Sequence, residues 1–305
     1  MTKPVTLLPF IPTLLALTLA GCGQGMDPQK QENRKHMDTS AKKEITYQTG
    51  HALVNGLDMY YEIHGTGRPL VLIHGGGSTI YTTFGRVLPM FAKNRQVIAV
   101  ELQAHGHTGD RDSPESFEQD ADDVAELLKQ LNISKADLCG FSNGGSAALQ
   151  VAIRHPARVN KVVAISAMYK RSGMQDWFWG FMEKGTFKDM PQVYKDEYLK
   201  ITGDEKRLLN MYQKDSQRML TFKDWKDESI RSIKAPVFVI VGDQDVVRTE
   251  HAMEMVHLLA HGRLAVLTGN HGSFIGEIMT PDNGSRIPAL TVAMIEEFLD
   301  EPAAK

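Results

Sequence analysis

The sequence predicts an α/β chain built on a mainly parallel sheet with helices on both faces. Three observations carry this. Short apolar runs without alternation recur at residues 70–73, 97–100, 136–139, 162–165, 237–241 and 264–267, and such runs mark strands buried on both faces. Helix-patterned segments lie between them, as crossovers of a parallel sheet require. One stretch, residues 167–230, has no strand run but several helical patterns and all three tryptophans (Trp177, Trp179, Trp225). It is too long for a loop and reads as a helical cap inserted after the sixth strand.

Taken in order, the β pattern begins with Ile45-Thr46-Tyr47 and Ala52-Leu53-Val54, followed by an Asn55-Gly56 turn pair and Met59-Tyr60-Tyr61-Glu62-Ile63. This is an antiparallel start joined by a hairpin. Ser116 with Gln119 forms a capping-box pattern ahead of the helix through Leu131, Glu250 to Leu259 is amphipathic, and a last helix from Leu290 to Leu299 follows Pro288. Within the cap, most of the aromatic and methionine side chains should pack the cap itself, and a minority should line a pocket beneath it. The expected boundaries are 1–21 for a leader, 22–43 for a tether, 44–166 and 231–305 for the two parts of the core, and 167–230 for the cap.

The leader differs in composition from the rest. After Lys3 an uncharged run from Val5 to Ala20 is broken by Pro9 and Pro12 and ends Leu19-Ala20-Gly21-Cys22. It is too short and interrupted for a membrane span and fits an export signal. Its ending resembles the lipobox of bacterial lipoproteins, which implies lipidation of Cys22 and anchoring at a membrane of the bacterial cell envelope. Residues 23–43 are polar and cannot pay for their own ordering. With Cys22 committed to lipid, Cys139 has no partner for a disulfide and reads as a small apolar side chain in a buried strand. A net charge of −3 with no Lys/Arg block gives no footprint for nucleic acid.

The chemistry centres on Gly140-Phe141-Ser142-Asn143-Gly144, between a strand run and a helix-forming segment. A serine on a tight strand-to-helix turn needs small residues two positions to either side, and Gly140 and Gly144 meet that need. Its hydroxyl is a poor nucleophile without a base oriented by a carboxylate. Oxyanion donors are expected from backbone amides, and His74-Gly75-Gly76-Gly77 after a strand supplies a suitable loop; Gly76 and Asn143 are the expected donors. That loop lacks the Gly-Lys-Ser/Thr ending or Gly-x-Gly-x-x-Gly spacing of a nucleotide site. His105-Gly106-His107 has no Asp-His close behind it, so no metal site is expected.

These segments, together with Gly242-Asp243-Gln244-Asp245 and Gly269-Asn270-His271, resemble in their order the signatures of the α/β-hydrolase superfamily. The resemblance implies the α/β-hydrolase fold and the chain order serine, acid, histidine. His271, in a turn just past a strand run, is then the base, in preference to His251, His257 and His261, for which exposed positions in or at the end of a helix are expected. The family's Gly-x-x-Asp pattern makes Asp245 the acid, with Asp243 the alternative. Asn143 departs from the Met, Leu or Gln of many relatives but keeps its amide. The implied activity is cofactor-free hydrolysis of a small-molecule ester. Carbon–carbon bond hydrolysis, lactonase or aminopeptidase chemistry, and a receptor-like protein with little turnover are the alternatives. Oligomeric state is not legible.

Overall fold

The computed structural model describes residues 47–302. The expectations for residues 1–46, Cys22 and the β piece at Ile45-Thr46 included, lie outside the described residues. Eight strands form one sheet in the order β1-β2-β4-β3-β5-β6-β7-β8, where β1 is Tyr47–Val54, β2 Leu57–His64, β3 Arg68–Ile73, β4 Arg95–Val100, β5 Ala136–Phe141, β6 Val159–Ile165, β7 Val237–Gly242 and β8 Gly262–Leu267. Among the described strands, β1 with β2 and β2 with β4 pair antiparallel and the other neighbours pair parallel.

The first hairpin differs from the two separate β pieces expected before Asn55. Tyr47–Val54 is one unbroken strand in register with β2 from Tyr47 opposite His64 to Val54 opposite Leu57. Asn55 at φ 47° and Gly56 at φ 83° form the turn, whose positive φ angles match the twist of the flanking strands.

The helices are α1 (Ile80–Phe84), α2 (Leu88–Phe91), α3 (Phe117–Gln130), α4 (Asn143–Arg154), α5 (Phe178–Lys184), α6 (Gln192–Thr202), α7 (Glu205–Thr221), α8 (Asp227–Arg231), α9 (Thr249–Leu258) and α10 (Ile287–Asp300). Alternate residues of the central strands feed two cores. Val71, Ile73, Ile98 and Leu138 pack against α3, α4 and α9, whereas Leu70, Leu72, Val97 and Cys139 pack against α1, α2 and α10. Cys139 is fully buried, and burial pushes its thiol up to about 12, so it behaves as an apolar side chain.

Two local expectations are corrected. Ser116 caps α3 by accepting from the Gln119 amide at 3.1 Å, but the Gln119 side chain turns forward to Asp123 Oδ1 at 2.9 Å, so the reciprocal half of the box is missing. His251 is buried rather than exposed: it stacks on Tyr169 at 4.6 Å and its Nε2 accepts the Tyr169 amide at 3.2 Å. Gly173 leaves room for the ring, since a Cβ there would sit 2.4 Å from it, and burial pushes the imidazole down to about 4.

Between β6 and β7 the chain adds no strand to the sheet. Ala167, Met168 and Tyr169 are still buried against the core, and residues of α5, α6 and α7 then share one cavity with Gly76, Gly77 and Ser142, just past the C-terminal ends of β3 and β5, where loops of such sheets gather their functional groups.

Candidate active site

Four strand ends build the site. Ser142 follows β5 directly, the 74–77 loop follows β3, Asp245 lies three residues past β7 and His271 four past β8. Ser142 sits at φ 55°, ψ −119° and caps α4, a conformation that costs energy for any residue with a Cβ and holds only where the surroundings fix it. The fixing is visible. The Ser142 amide donates to Ile165 O at 2.8 Å and the Ser146 amide to Ser142 O at 3.1 Å. A Cβ on Gly140 would lie 2.0 Å from Gly144 O, and one on Gly144 would lie 2.1 Å from Ile73 O. The two glycines are therefore demanded by backbone contact as well as by the turn itself.

His271 Nε2 lies 3.0 Å from Ser142 Oγ, and its Nδ1 lies 2.7 Å from Asp245 Oδ1. Phe141 supports the ring at 4.6 Å. Asp245 is buried and accepts further bonds from Ser166 Oγ at 2.5 Å and from the Gly242 and Val247 amides at 3.2 Å. Burial pushes its carboxyl up, but His271, Ser166 and the Val247 amide outweigh this and hold it below the usual carboxylate range. Asp243, the alternative acid, does not reach His271 and instead accepts the Gly269 amide at 2.8 Å in the turn ahead of it.

The amides around Ser142 divide cleanly. Gly75 N–H donates to Thr83 Oγ1 at 3.3 Å and Gly77 N–H to Asp215 Oδ2. Among the described residues, neither the Gly76 nor the Asn143 amide has a partner inside the protein. The two residues are adjacent, since a Cβ on Gly76 would meet the Asn143 side chain at 2.4 Å. Asn143 also opens α4, whose positive end adds to the attraction for an anion.

A sequence profile of the alpha/beta hydrolase fold family matches residues 68–278. The chain belongs to this family. It is 27% identical over 227 residues to a 2-hydroxymuconate semialdehyde hydrolase of Pseudomonas sp. (strain CF600), a match covering 66% of this chain and 79% of that protein. Among solved structures, a serine hydrolase involved in carbazole degradation superposes with a TM-score of 0.68 at 20% identity, over 83% of this chain and 99% of that one. An enol-lactonase from Burkholderia xenovorans LB400 superposes with a TM-score of 0.64 at 20% identity, over 83% and 100%. The protein is thus an α/β-fold hydrolase.

Two cavities of this hydrolase meet at Ser142. One, of about 270 Å³, runs from Gly76 and Gly77 under α6 and α7, with Met190, Tyr194, Met211 and Tyr212 on its walls. The other, of about 170 Å³, lies on the His271 side against Met168, Met174, Trp177 and Val247. Phe178, Phe181 and Met219 border both. Trp179 and Trp225 line neither, the latter packing on Phe117 and Phe222.

A buried charged cluster beside the larger cavity was not anticipated. His105 Nε2 lies 3.0 Å from Asp215 Oδ2 and its Nδ1 lies 2.7 Å from Gln103 O. Arg218 pairs with Asp215 and, at 2.9 Å, with Asp120. Burial opposes charge on His105, but Asp215 outweighs it and raises the imidazole to about 9. His74 responds oppositely: burial, then the charge on His105, push it down to about 3. It accepts the Leu102 amide on Nε2 at 3.0 Å and makes a 2.7 Å contact from Nδ1 to Gly75 O. His107 turns away to Glu101 at 2.9 Å, so the two histidines of His105-Gly106-His107 do not converge on one point.

Proposed function

We propose that the protein hydrolyses small, uncharged carboxylic esters through an acyl-enzyme on Ser142. The observation that carries this is the hydrogen-bonded line Ser142–His271–Asp245 ending beside the unpaired Gly76 and Asn143 amides. In the first half-reaction His271 Nε2 takes the Ser142 proton as Oγ adds to the ester carbonyl, and the two amides receive the negative oxygen. The alkoxide leaves with the proton returned by His271. Water then adds to the acyl-enzyme with the same base, releasing the acid and restoring Ser142. Asp245 keeps Nδ1 protonated and the ring oriented throughout.

Carbon–carbon bond hydrolysis is the second reading, favoured by relatives such as the 2-hydroxymuconate semialdehyde hydrolase. The substrate in that name carries a carboxylate. Among the described residues no lysine or arginine lines either cavity, and the larger one carries Asp189 and Asp215 instead. A substrate carboxylate lying away from the two free amides would lose its hydration without meeting a cation, which supports a neutral ester.

A chain-length series of p-nitrophenyl esters, run beside a fluorophosphonate label, tests the reading. With walls this close, each added methylene gains about 0.8 kcal/mol until the cavity fills and then must displace protein. Specificity should peak between acetyl and roughly hexanoyl esters and fall for long chains. Rates that keep rising with chain length, or that jump at a lipid–water interface, would identify a lipase. Turnover confined to dienoic keto acids would favour the second reading, and near-single-turnover cleavage a receptor-like role. The export reading belongs to the same proposal: lipid on Cys22 would hold this hydrolase at the cell envelope, Cys22→Ser should release it, and intact mass showing an unmodified N-terminus would overturn the anchor.

A further inference from the structure

The 74–77 loop holds its middle amide free by fixing the ones on either side. Thr83, from α1, accepts the Gly75 N–H, and Asp215, from α7 of the cap, accepts the Gly77 N–H. The carboxylate also backs Gly76 itself, since a Cβ built there would lie 3.3 Å from Asp215 Oδ2. A bare carboxylate this close to a developing oxyanion would repel it. Here its charge is met by Arg218 on one oxygen and by His105 on the other. Glu115 and Asp120 face the same Arg218, at 3.5 and 2.9 Å. Gly77 stands at φ +66°, so the peptide that Asp215 grips belongs to a turn few residues could adopt unaided.

We propose that Asp215 is a positioning residue that clamps the Gly77 amide from the cap and thereby keeps the Gly76 N–H aimed at the oxygen of the reacting carbonyl. The role rests on the acyl-transfer reading of Ser142. It makes the oxyanion loop depend on the cap: when α7 is seated, the loop is held, and when α7 lifts, Gly77 loses its acceptor. The contribution is to the transition state and not to ground-state binding, because the oxygen becomes a strong acceptor only as the tetrahedral intermediate forms.

The test compares Asp215→Ala and Asp215→Asn on a short p-nitrophenyl ester, with rates normalised to sites that react with fluorophosphonate. Asp215→Ala should lower kcat by roughly 10- to 100-fold with KM within about threefold, and weaken an alkyl boronic acid by the same factor, somewhat less than deletion of an oxyanion donor itself. Asp215→Asn keeps an oxygen acceptor for Gly77 and should recover kcat to within about fivefold of wild type. A purely structural role would reduce the number of reactive sites and leave kcat per site unchanged, and that result overturns the proposal, as does a loss that falls on KM. If Asp215→Ala does not fold, the Gly77 amide proton in Asp215→Asn decides: it should move upfield as its acceptor loses charge, and an unmoved resonance overturns the clamp. Ser142→Ala run in parallel separates the two failures. Turnover surviving in Ser142→Ala would defeat the acyl-enzyme reading, whereas a dead Ser142→Ala beside a fully active Asp215→Ala defeats only the role given to Asp215.

Discussion

Two histidine–aspartate pairs flank the Ser142 site, and they differ in what stands at the second ring nitrogen. His271 is held by Asp245 on Nδ1 and presents Nε2 to a serine hydroxyl, with 29% of its side chain exposed. His105 is held by Asp215 on Nε2 but has a backbone carbonyl at Nδ1 and no exposure at all. A carbonyl and a carboxylate can only accept, so His105 must donate from both nitrogens and carry a charge. The hydroxyl can donate, so His271 can be neutral and take a proton. The same two residue types thus give a ring free to accept a proton in one place and a fixed cation in the other, and the third partner decides which.

The largest effect expected from breaking this contrast is on the first pair. Ser142→Ala, His271→Ala and Asp245→Asn should each cut kcat by roughly 10³-fold or more, with double variants barely worse than the worst single one, because the residues act as a unit. Asp243→Asn should leave kcat near wild type; if instead it is the damaging change and Asp245→Asn is mild, the acid is misassigned.

Breaking the second pair should cost stability first. His105→Gln removes one of two cations from Asp215 and is expected to destabilise the fold by about 2–4 kcal/mol in chemical denaturation at pH 7. The pH dependence follows from the raised imidazole. Unfolded, His105 loses its proton near 6.5; folded, near 9, so its stabilisation is complete below about 6.5 and gone above about 9. Glu115, pushed up to about 8 by burial, adds a fall with the same sign at lower pH. Stability of the wild type should therefore decline from neutral to alkaline pH, and His105→Gln should flatten the portion between about 8 and 9. An unchanged slope would show that His105 is not the cation the geometry requires.

The smallest effect is expected where the cap meets the far side of the site. Tyr194 Oη donates to the buried Glu277 Oε1 at 2.6 Å, joining α6 to the turn after His271. Tyr194→Phe leaves that oxygen unpaired and should cost about 1 kcal/mol with kcat within a few-fold of wild type. A loss of kcat comparable to that of Asp215→Ala would mean that the whole cap, and not the α7 clamp, sets the geometry at Ser142.

The difference between the pairs also explains what the sequence could reveal. Ser142, Asp245 and His271 each sit just past an apolar strand run, and the glycines around Ser142 are dictated by backbone collisions two residues away, so each is marked by its immediate neighbours. Asp215 and His105 are 110 residues apart and meet only because α7 folds back over the loop. One signal was present. Leu208, Met211, Met219 and Phe222 form the buried stripe of α7 and its end, and Asp215 and Arg218 fall on the same face at helical spacing. A carboxylate and a guanidinium inside an apolar stripe require partners elsewhere in the fold. The sheet was legible because its strands are solid apolar runs, whereas the burial of His251 depended on the space left by Gly173, which no periodicity reports.

The meeting of the two cavities at a single serine has a consequence for how this enzyme can change. The groups on either side of a scissile bond would rest on separate walls, one built largely by α6 and α7 and the other by residues following β6 and β7, with Phe178, Phe181 and Met219 as the shared partition. Preference for one half of a substrate can then be altered by substitutions that never touch the other half, so long as the partition is left alone. Selectivity becomes a product of two nearly independent factors, and a lineage with this layout can trade one half of its substrate for another without rebuilding the centre that does the chemistry.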